Sequence, residues 1–266
     1  MKIVHIVADY GAGDLAFSEM ISALARHLPA GWDWHATSVD SFDTIATGFI
    51  VAQLGLQIES LRAPQTIIYA NCAPRKDRSI ARKNNEGEGL LYGILKNGVP
   101  IVVVNSGYSL SFVRDSFQEL WSVHVEKGGS QFRSRDIFPP VVGQVAQGKL
   151  DFINEKLDPE KVIPSIPKGV VGYVDSFGNL KTTYRDGDAI LKDLKAGQKV
   201  KVSINGVVRV ATVASGSFNI DEGDLAFSPG SSGHEKRYWE IFQRGGSAWA
   251  TYAKPRIGTA IALEVE

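Results

Sequence analysis

Short apolar runs alternate with segments of helical periodicity along the first part of the chain. The β-rich runs are KIVHIVAD (2–9), WHATSV (34–39), QTIIYANC (65–72) and VPIVVVNSG (99–107). Apolar residues recur at helical spacing in 14–29, 42–61 and 109–121. Strands that alternate with helices predict an α/β layered domain.

The pattern changes at Gly169, after which short alternating segments at 169–184, 198–213 and 258–266 predict a mostly β region. Within it, Asn205-Gly206 is the dipeptide favoured in type I′ hairpin turns. Three prolines fall within residues 158–169, which is typical of a stiff linker. We therefore predict an α/β N-terminal domain (1–163), a linker (164–168) and a β-rich C-terminal domain (169–266).

The 266 residues carry 29 Lys+Arg and 29 Asp+Glu, so no net charge draws the protein to nucleic acid or to an anionic membrane surface. A small-molecule partner is the expectation. No apolar run approaches the ~20 residues of a membrane helix, and the N-terminal run reaches Asp9 too early for a signal peptide, which predicts a cytoplasmic protein.

The single cysteine, Cys72, excludes an internal disulfide framework and a multi-cysteine metal site. We interpret it as a small, semi-buried residue rather than a nucleophile. None of the five histidines has metal-ligand spacing, so we expect no metal and no cofactor.

Polar residues follow several of the apolar runs, where ligands bind in α/β sheets. In ADYGAGD (8–14), a carboxylate could accept two hydrogen bonds from a vicinal diol or one from an amine. For Asp14, capping the next helix is an equal alternative. Asn71 ends a strand and precedes a basic stretch that contains Arg78, which alone is typical of a solvated loop.

Two stretches of the C-terminal region could contact a ligand. YVDSFGN (173–179) brings Phe177 and Asn179 together, and an aromatic ring beside an amide suits a purine base, although a plain hairpin turn is the alternative. The Ser/Gly-rich loop SPGSSG (228–233) offers hydroxyl and N–H groups to a carboxylate, but the same composition fits a flexible loop.

Taken in order, these segments resemble the S-adenosylmethionine hydroxide adenosyltransferases (adenosine-forming SAM hydrolases), which are related to fluorinases and chlorinases. ADYGAGDLAFSEM is similar to the family's opening Asp-Phe-Gly turn, and QFRSRDIFPPV (131–141) to its Thr-Phe-His-Gly-Arg-Asp-Ile-Phe-x-Pro block. YVDSFGN resembles Asp-x-Phe-Gly-Asn, and SPGSSG with YWEIFQRGGSA (238–248) resembles the Pro-Gly-Ser loop and Tyr-Leu-Glu-Ile strand.

The resemblance implies a layered α/β domain followed by a barrel-like β domain, in a homotrimer whose ligand lies between the N-terminal domain of one subunit and the C-terminal domain of its neighbour. It implies these ligand contacts: Asp9 with the ribose hydroxyls, Phe177 and Asn179 with adenine, Asp14 and Asp175 with the methionine ammonium, and Ser231 and Ser232 with the carboxylate.

The catalytic positions differ from the family's Asp, Arg and His set. Asn71 stands at the Asp position and Arg133 at the His position, and the family arginine falls near Asp77 or Arg78. Neither an amide nor an arginine accepts a proton from water, so an anionic nucleophile or ligand group suits this site better than neutral water. Ser134 follows Arg133 in the region where the family's halogenases hold a halide with a serine.

Two functional hypotheses remain open. In the first, the protein binds S-adenosylmethionine and displaces methionine from the ribose 5′ carbon, which requires no metal and no strict general base. In the second, it is a non-catalytic or repurposed protein of the same fold that binds adenosine or a nucleotide. Loss of the Asp and His with retention of the adenosine-binding residues favours the second.

Overall fold

The computed structural model describes residues 1–73, 88–125, 131–216 and 219–265. The chain divides into two compact units, Met1–Ser165 and Ile166–Glu266. Within the described ranges, each unit contains one seven-stranded mixed sheet, accompanied by few helices.

The first unit contains seven strands and five α-helices among its described residues. The strands are β1 (Lys2–Ala8), β2 (Trp32–Ser38), β3 (Thr66–Asn71), β4 (Leu90–Leu95), β5 (Pro100–Val104), β6 (Phe117–Val123) and β7 (Ile153–Lys156). The helices are α1 (Leu15–His27), α2 (Thr44–Leu56), α3 (Arg133–Asp136), α4 (Phe138–Ala146) and α5 (Pro159–Val162). The strand order is β2-β1-β3-β5-β4-β6-β7.

Strands β2, β1, β3 and β5 are parallel, so the carboxyl ends of β1 and β3 meet at one edge of the sheet. Alternate residues of β1, such as Val4 and Ile6, share an apolar cluster with Met20 and Leu24 of α1. Burial of these side chains fixes the register of β1 and positions the residue that follows it.

The predicted helix at 109–121 is wrong. Ser111–Ser116 forms a short 3-10 helix, and the residues after it form strand β6, which pairs with β4 in antiparallel orientation. Gly93 of β4 leaves room for the Phe117 ring, which a Cβ at that position would overlap. The apolar spacing of 109–121 fits both periods, and pairing with a neighbouring strand decides between them.

The second unit is mostly β, as its alternating pattern predicts. Its strands are β8 (Val171–Val174), β9 (Leu180–Arg185), β10 (Lys199–Ile204), β11 (Val207–Val213), β12 (Leu225–Pro229), β13 (Tyr238–Gln243) and β14 (Ile261–Val265), and α6 (Ala248–Thr251) follows β13. The order is β14-β10-β11-β12-β13-β9-β8. A bridge between Val170 and Ala260 brings the starts of the two edge strands together, so the sheet curls as a half-barrel.

The Asn-Gly hairpin prediction is confirmed. Ile204 pairs with Val207 in antiparallel β10 and β11, and the turn residues Asn205 and Gly206 have φ of 52° and 75°. Positive φ at both positions is the requirement of a type I′ turn. No helix in the described part of the chain is long and apolar enough to cross a membrane.

Candidate functional site

Asp9 follows β1 at the sheet edge where β1 and β3 end. It is 9% exposed, and its Oδ2 accepts hydrogen bonds from the backbone N–H of Phe42 at 3.1 Å and of Ala73 at 3.3 Å. Its own N–H donates to Asn71 O at 3.3 Å. The carboxylate therefore joins the turn before α2 to the segment after β3, and it stabilises a turn in which Phe42 has a φ of 67°.

Two titratable groups lie close to Asp9. Asp43 caps the N-terminus of α2 by accepting from Ala46 N at 2.8 Å, and burial raises its pKa to about 6. Burial, followed by the negative charge of Asp9, raises the pKa of the Cys72 thiol, so Cys72 is a protonated, buried residue and not an activated nucleophile.

Three uncharged side chains from distant parts of the sequence form a second group at the same sheet edge. Tyr10 Oη accepts from Asn71 Nδ2 at 3.3 Å and lies 2.8 Å from Ser134 Oγ. Ser134 is 4% exposed and belongs to α3. The structure thus brings together two of the predicted site residues through Tyr10, which sequence reasoning did not single out; its place directly after Asp9 was the available signal.

The two arginines of the predicted catalytic set have different outcomes. Arg133 Nη1 donates to Glu88 O at 2.8 Å, and its guanidinium lies 5.0 Å from the centre of the Phe138 ring. Burial lowers the pKa of Arg133, but arginine remains a cation at neutral pH. Arg78 lies outside the described residues.

Asp14 is an exposed helix cap in this structure. Its Oδ1 accepts from Ala16 N at 2.7 Å at the start of α1. The capping interpretation of Asp14 is therefore confirmed, and the ammonium contact implied by resemblance stays a prediction.

Asp175 organises the turn between β8 and β9 in the second unit. Its Oδ1 accepts from the N–H groups of Phe177 and Asn179, both at 3.0 Å, and its Oδ2 accepts from Asn179 Nδ2 at 2.9 Å. Gly178 has a φ of 77°, which completes the turn. These bonds hold the Asn179 amide in one orientation and present the Phe177 ring to solvent, where it is 77% exposed.

A lysine links this turn to the strand that follows the Ser/Gly loop. Lys181 Nζ lies 3.4 Å from Asp175 Oδ2 and forms a close ion pair with Glu240, and all three side chains are mostly shielded from solvent. A Cβ on Gly230 would contact Glu240 Oε2 at 2.9 Å, so the loop that begins at Gly230 passes over this carboxylate.

In that loop, the predicted residues Ser231 and Ser232 lie between two backbone bonds. Gly230 N donates to Tyr238 O, and Tyr238 N donates to Ser232 O, both at 2.8 Å. Ser231 is exposed and Ser232 is buried. Neither serine's N–H donates to another described residue, which leaves two donors at the loop.

Among the residues that the structure describes, no group of three or more His, Cys, Asp or Glu side chains could hold a metal ion. Asp9, Asn71, Tyr10 and Ser134 belong to the first unit, and Asp175, Phe177, Asn179 and the two serines belong to the second.

Solved structures give the chain a fold but no function. No protein-family model matches it, and no curated protein does. An uncharacterized conserved protein from Thermotoga maritima is 19% identical, with 98% of this chain and all of the other covered and a TM-score of 0.77. A conserved hypothetical protein from Thermus thermophilus is 18% identical, with 99% of this chain and 100% of the other covered and a TM-score of 0.65. The chain shares their fold. At this identity the likeness says nothing about ligand or reaction.

Proposed function

We propose that the protein binds S-adenosylmethionine and displaces methionine from the ribose 5′ carbon with water or hydroxide, giving adenosine. The observation that carries the proposal is the turn of Asp175. It combines an exposed aromatic ring, Phe177, with the oriented amide of Asn179, whose Oδ1 accepts no hydrogen bond from any described residue. The ring suits stacking with a purine, and the open carbonyl suits the exocyclic amino group of adenine.

The remaining ligand contacts are assigned by chemistry and resemblance together. Asp9 would accept from the ribose hydroxyls, and the free N–H groups of Ser231 and Ser232 suit the methionine carboxylate. Asp175 acts mainly as the positioning residue of the turn, since its oxygens already accept three bonds within it.

The reaction would proceed without a general base. The oxygen of the nucleophile forms a bond to C5′ as the C5′–S bond breaks. The electron pair of the C5′–S bond goes to sulfur, which becomes the neutral thioether of methionine. When the nucleophile is water, it releases one proton to solvent. Asn71, Tyr10 and Ser134 are uncharged and Arg133 is a cation, so none of them accepts that proton at neutral pH. Rate then depends on alignment of the nucleophile and on the positive sulfur as leaving group.

A second candidate function is binding of adenosine or a nucleotide without turnover. The contact between Lys181 and Asp175 favours it, because an ammonium from the protein already neutralises a carboxylate that the resemblance assigns to the methionine ammonium. A ligand that lacks an amino-acid group would then suit the second unit better.

Two measurements on the purified protein separate these candidates. Calorimetry with adenosine and with S-adenosylmethionine gives the affinities, and chromatography after incubation with S-adenosylmethionine detects adenosine and methionine. Phe177→Ala is expected to weaken adenosine binding about 5- to 150-fold, since stacking of one base contributes on the order of 1–3 kcal/mol. Ile190→Ala, which also trims an exposed apolar side chain of the second unit, is the matched control and should bind as wild type does.

Adenosine release in equal amount with methionine would favour the hydrolase. Tight adenosine binding with no release would favour the second candidate. Equal affinity of the wild type and Phe177→Ala for adenosine would contradict both.

The same resemblance supports the finer structural proposals: a layered arrangement of the first unit, a barrel-like second unit, a homotrimer and a cytoplasmic location. Light scattering after size-exclusion chromatography measures the oligomer directly. A monomeric mass at all protein concentrations would contradict the trimer.

A further inference from the structure

One lysine lies between the turn of Asp175 and the strand that carries Glu240. Lys181 Nζ is 3.4 Å from Asp175 Oδ2 and forms a close ion pair with Glu240. Lys181 and Glu240 are register partners on antiparallel β9 and β13, so strand pairing brings the two side chains together. Among the described residues, Lys181 is the only cation in an ion pair with either carboxylate.

The charges of this group do not balance. Two carboxylates share one ammonium, so one negative charge is left over among side chains that are mostly shielded from solvent. Burial and the negative charge of Asp175 raise the pKa of the nearby Tyr173 phenol, an effect that Lys181 opposes, so the phenol stays protonated and adds no charge. Without the ammonium, the two carboxylates would repel each other with little screening by water.

Glu240 has little freedom to relieve that repulsion by moving. The backbone at Gly230 lies against it, since a Cβ there would be 2.9 Å from Glu240 Oε2 and 3.0 Å from Tyr238 O. Gly230 N also donates to Tyr238 O at 2.8 Å, which holds the start of the Ser/Gly loop on β13. Asp175 lies in a short turn instead, so it is the carboxylate that would shift, and the Asn179 amide bonded to it would shift as well.

We propose that Lys181 is a positioning residue for the purine: its ammonium offsets the repulsion from Glu240, keeps the Asp175 carboxylate in the turn and thereby orients the Asn179 amide. This inference rests on the proposed function, in which Asn179 Oδ1 accepts from adenine. The Asp175 Oδ2 that Lys181 approaches is the same atom that accepts from Asn179 Nδ2 at 2.9 Å. Lys181 thus sets the affinity for adenosine and needs no contact with it.

A purely structural role for Lys181 makes a different prediction. If the lysine only joined β9 to β13, Lys181→Met and Glu240→Gln would act alike, because each breaks the same ion pair. Both would then lower the folded fraction and leave the adenosine affinity of the folded molecules unchanged. In a positioning role only Lys181→Met changes the affinity, because Glu240→Gln leaves the ammonium on Asp175 and removes the repelling charge.

The experiment is calorimetry of adenosine binding, which gives Kd separately from the stoichiometry that reports the folded fraction. We expect Lys181→Met to raise Kd about tenfold, the size of effect that one misplaced hydrogen bond produces. Glu240→Gln should stay within about twofold of wild type, because the bonds to the ligand are untouched. The double variant of Lys181→Met with Glu240→Gln should return to within about threefold of wild type, since the second change removes the repulsion that the first exposes.

Lys199 provides the matched control. It is an exposed lysine of β10 in the same unit, and its Nζ donates to Thr212 Oγ1 at 2.7 Å. Lys199→Met makes the same chemical change away from the turn and should bind adenosine as wild type does. Lys181→Gln, which loses the charge but keeps a donor, is the second variant if Lys181→Met folds poorly, and it should raise Kd in the same direction.

Wild-type Kd in folded Lys181→Met or Lys181→Gln would overturn the proposal while leaving the proposed function intact. A tenfold loss of affinity in Glu240→Gln would overturn it too, as would a double variant that binds no better than Lys181→Met. Absence of adenosine binding in wild type would overturn the proposed function, and the role of Lys181 with it. That result is distinguishable because it appears before any substitution is made.

Discussion

Asp9 and Asp175 are carboxylates at strand ends in the two units, and both accept backbone N–H groups. Asp175 bonds to residues two and four positions later, so it closes its own turn. Asp9 bonds to residues 33 and 64 positions later and joins separate segments. The same chemical group thus organises a local turn in one unit and a long-range junction in the other. Loss of Asp175 should disturb one turn, whereas loss of Asp9 should disturb segments that are far apart in the sequence.

Asp9→Ala should have the largest effect on stability. It leaves the half-buried N–H groups of Phe42 and Ala73 without their charged acceptor, at a cost of about 4 kcal/mol in the free energy of unfolding. Hydrogen exchange followed by mass spectrometry should show faster exchange in peptides around both residues.

Asp9→Asn is the sharper companion variant because it keeps one oxygen acceptor. It should retain more of the stability yet still lose affinity for adenosine if the carboxylate binds the ribose diol. Unchanged exchange near Phe42 and Ala73 in Asp9→Ala would mean that the junction does not depend on this carboxylate.

Gly178→Ala should have a smaller effect that is confined to the second unit. The residue has a φ of 77°, and an added Cβ would overlap the Ser247 hydroxyl. We expect a loss of about 3 kcal/mol from backbone strain and overlap together. Urea unfolding of this unit, followed by its tryptophan fluorescence, measures the loss.

Gly187→Ala separates the two contributions. Gly187 has a φ of 94° but open space around it, so its substitution carries the backbone cost alone, about 1 kcal/mol. If both variants lose the same stability, the contact with Ser247 has no energetic weight.

The range of the interactions also explains what the sequence could predict. The turn at 175–179 and the Asn205-Gly206 hairpin are specified by neighbouring residues, so their motifs indicate them. The group formed by Tyr10, Asn71 and Ser134 combines residues up to 124 positions apart, and no local sequence pattern indicates the tyrosine. The apolar pattern of strand β6 predicts a helix, because the identity of this segment depends on pairing with β4, a strand that the apolar pattern does not reveal.

Arg133 shows the same limit within the candidate site. Its position in the RSRDIFPP block predicts a catalytic residue. The structure adds that its guanidinium donates a hydrogen bond to Glu88 O and lies over the Phe138 ring. The first of these partners is a backbone carbonyl, which any residue at position 88 would supply. No side-chain pattern in the sequence therefore predicts this contact. Sequence motifs therefore located the block but not the contacts of its side chains.

The pH dependence of stability should show the smallest effect, through Asp43. Its folded pKa of about 6 exceeds the ordinary value of 3.8, so the folded state binds more protons than the unfolded state between these values. The stability contributed by protonated Asp43 is complete below the lower value and is lost as pH rises through about 6.

Asp43→Asn keeps a good helix cap and removes the titration. Relative to wild type, it should gain stability on the order of 1 kcal/mol between pH 4 and pH 7, after allowance for partial solvent screening. Parallel curves for the two proteins across this range, from urea unfolding, would contradict the raised pKa.

Incubation of the purified protein with S-adenosylmethionine in water enriched in oxygen-18 tests displacement at C5′ most directly. The account predicts equimolar methionine and adenosine, with one oxygen-18 atom in the 5′ hydroxyl by mass spectrometry. Adenosine without the label, or no adenosine at all, would contradict it.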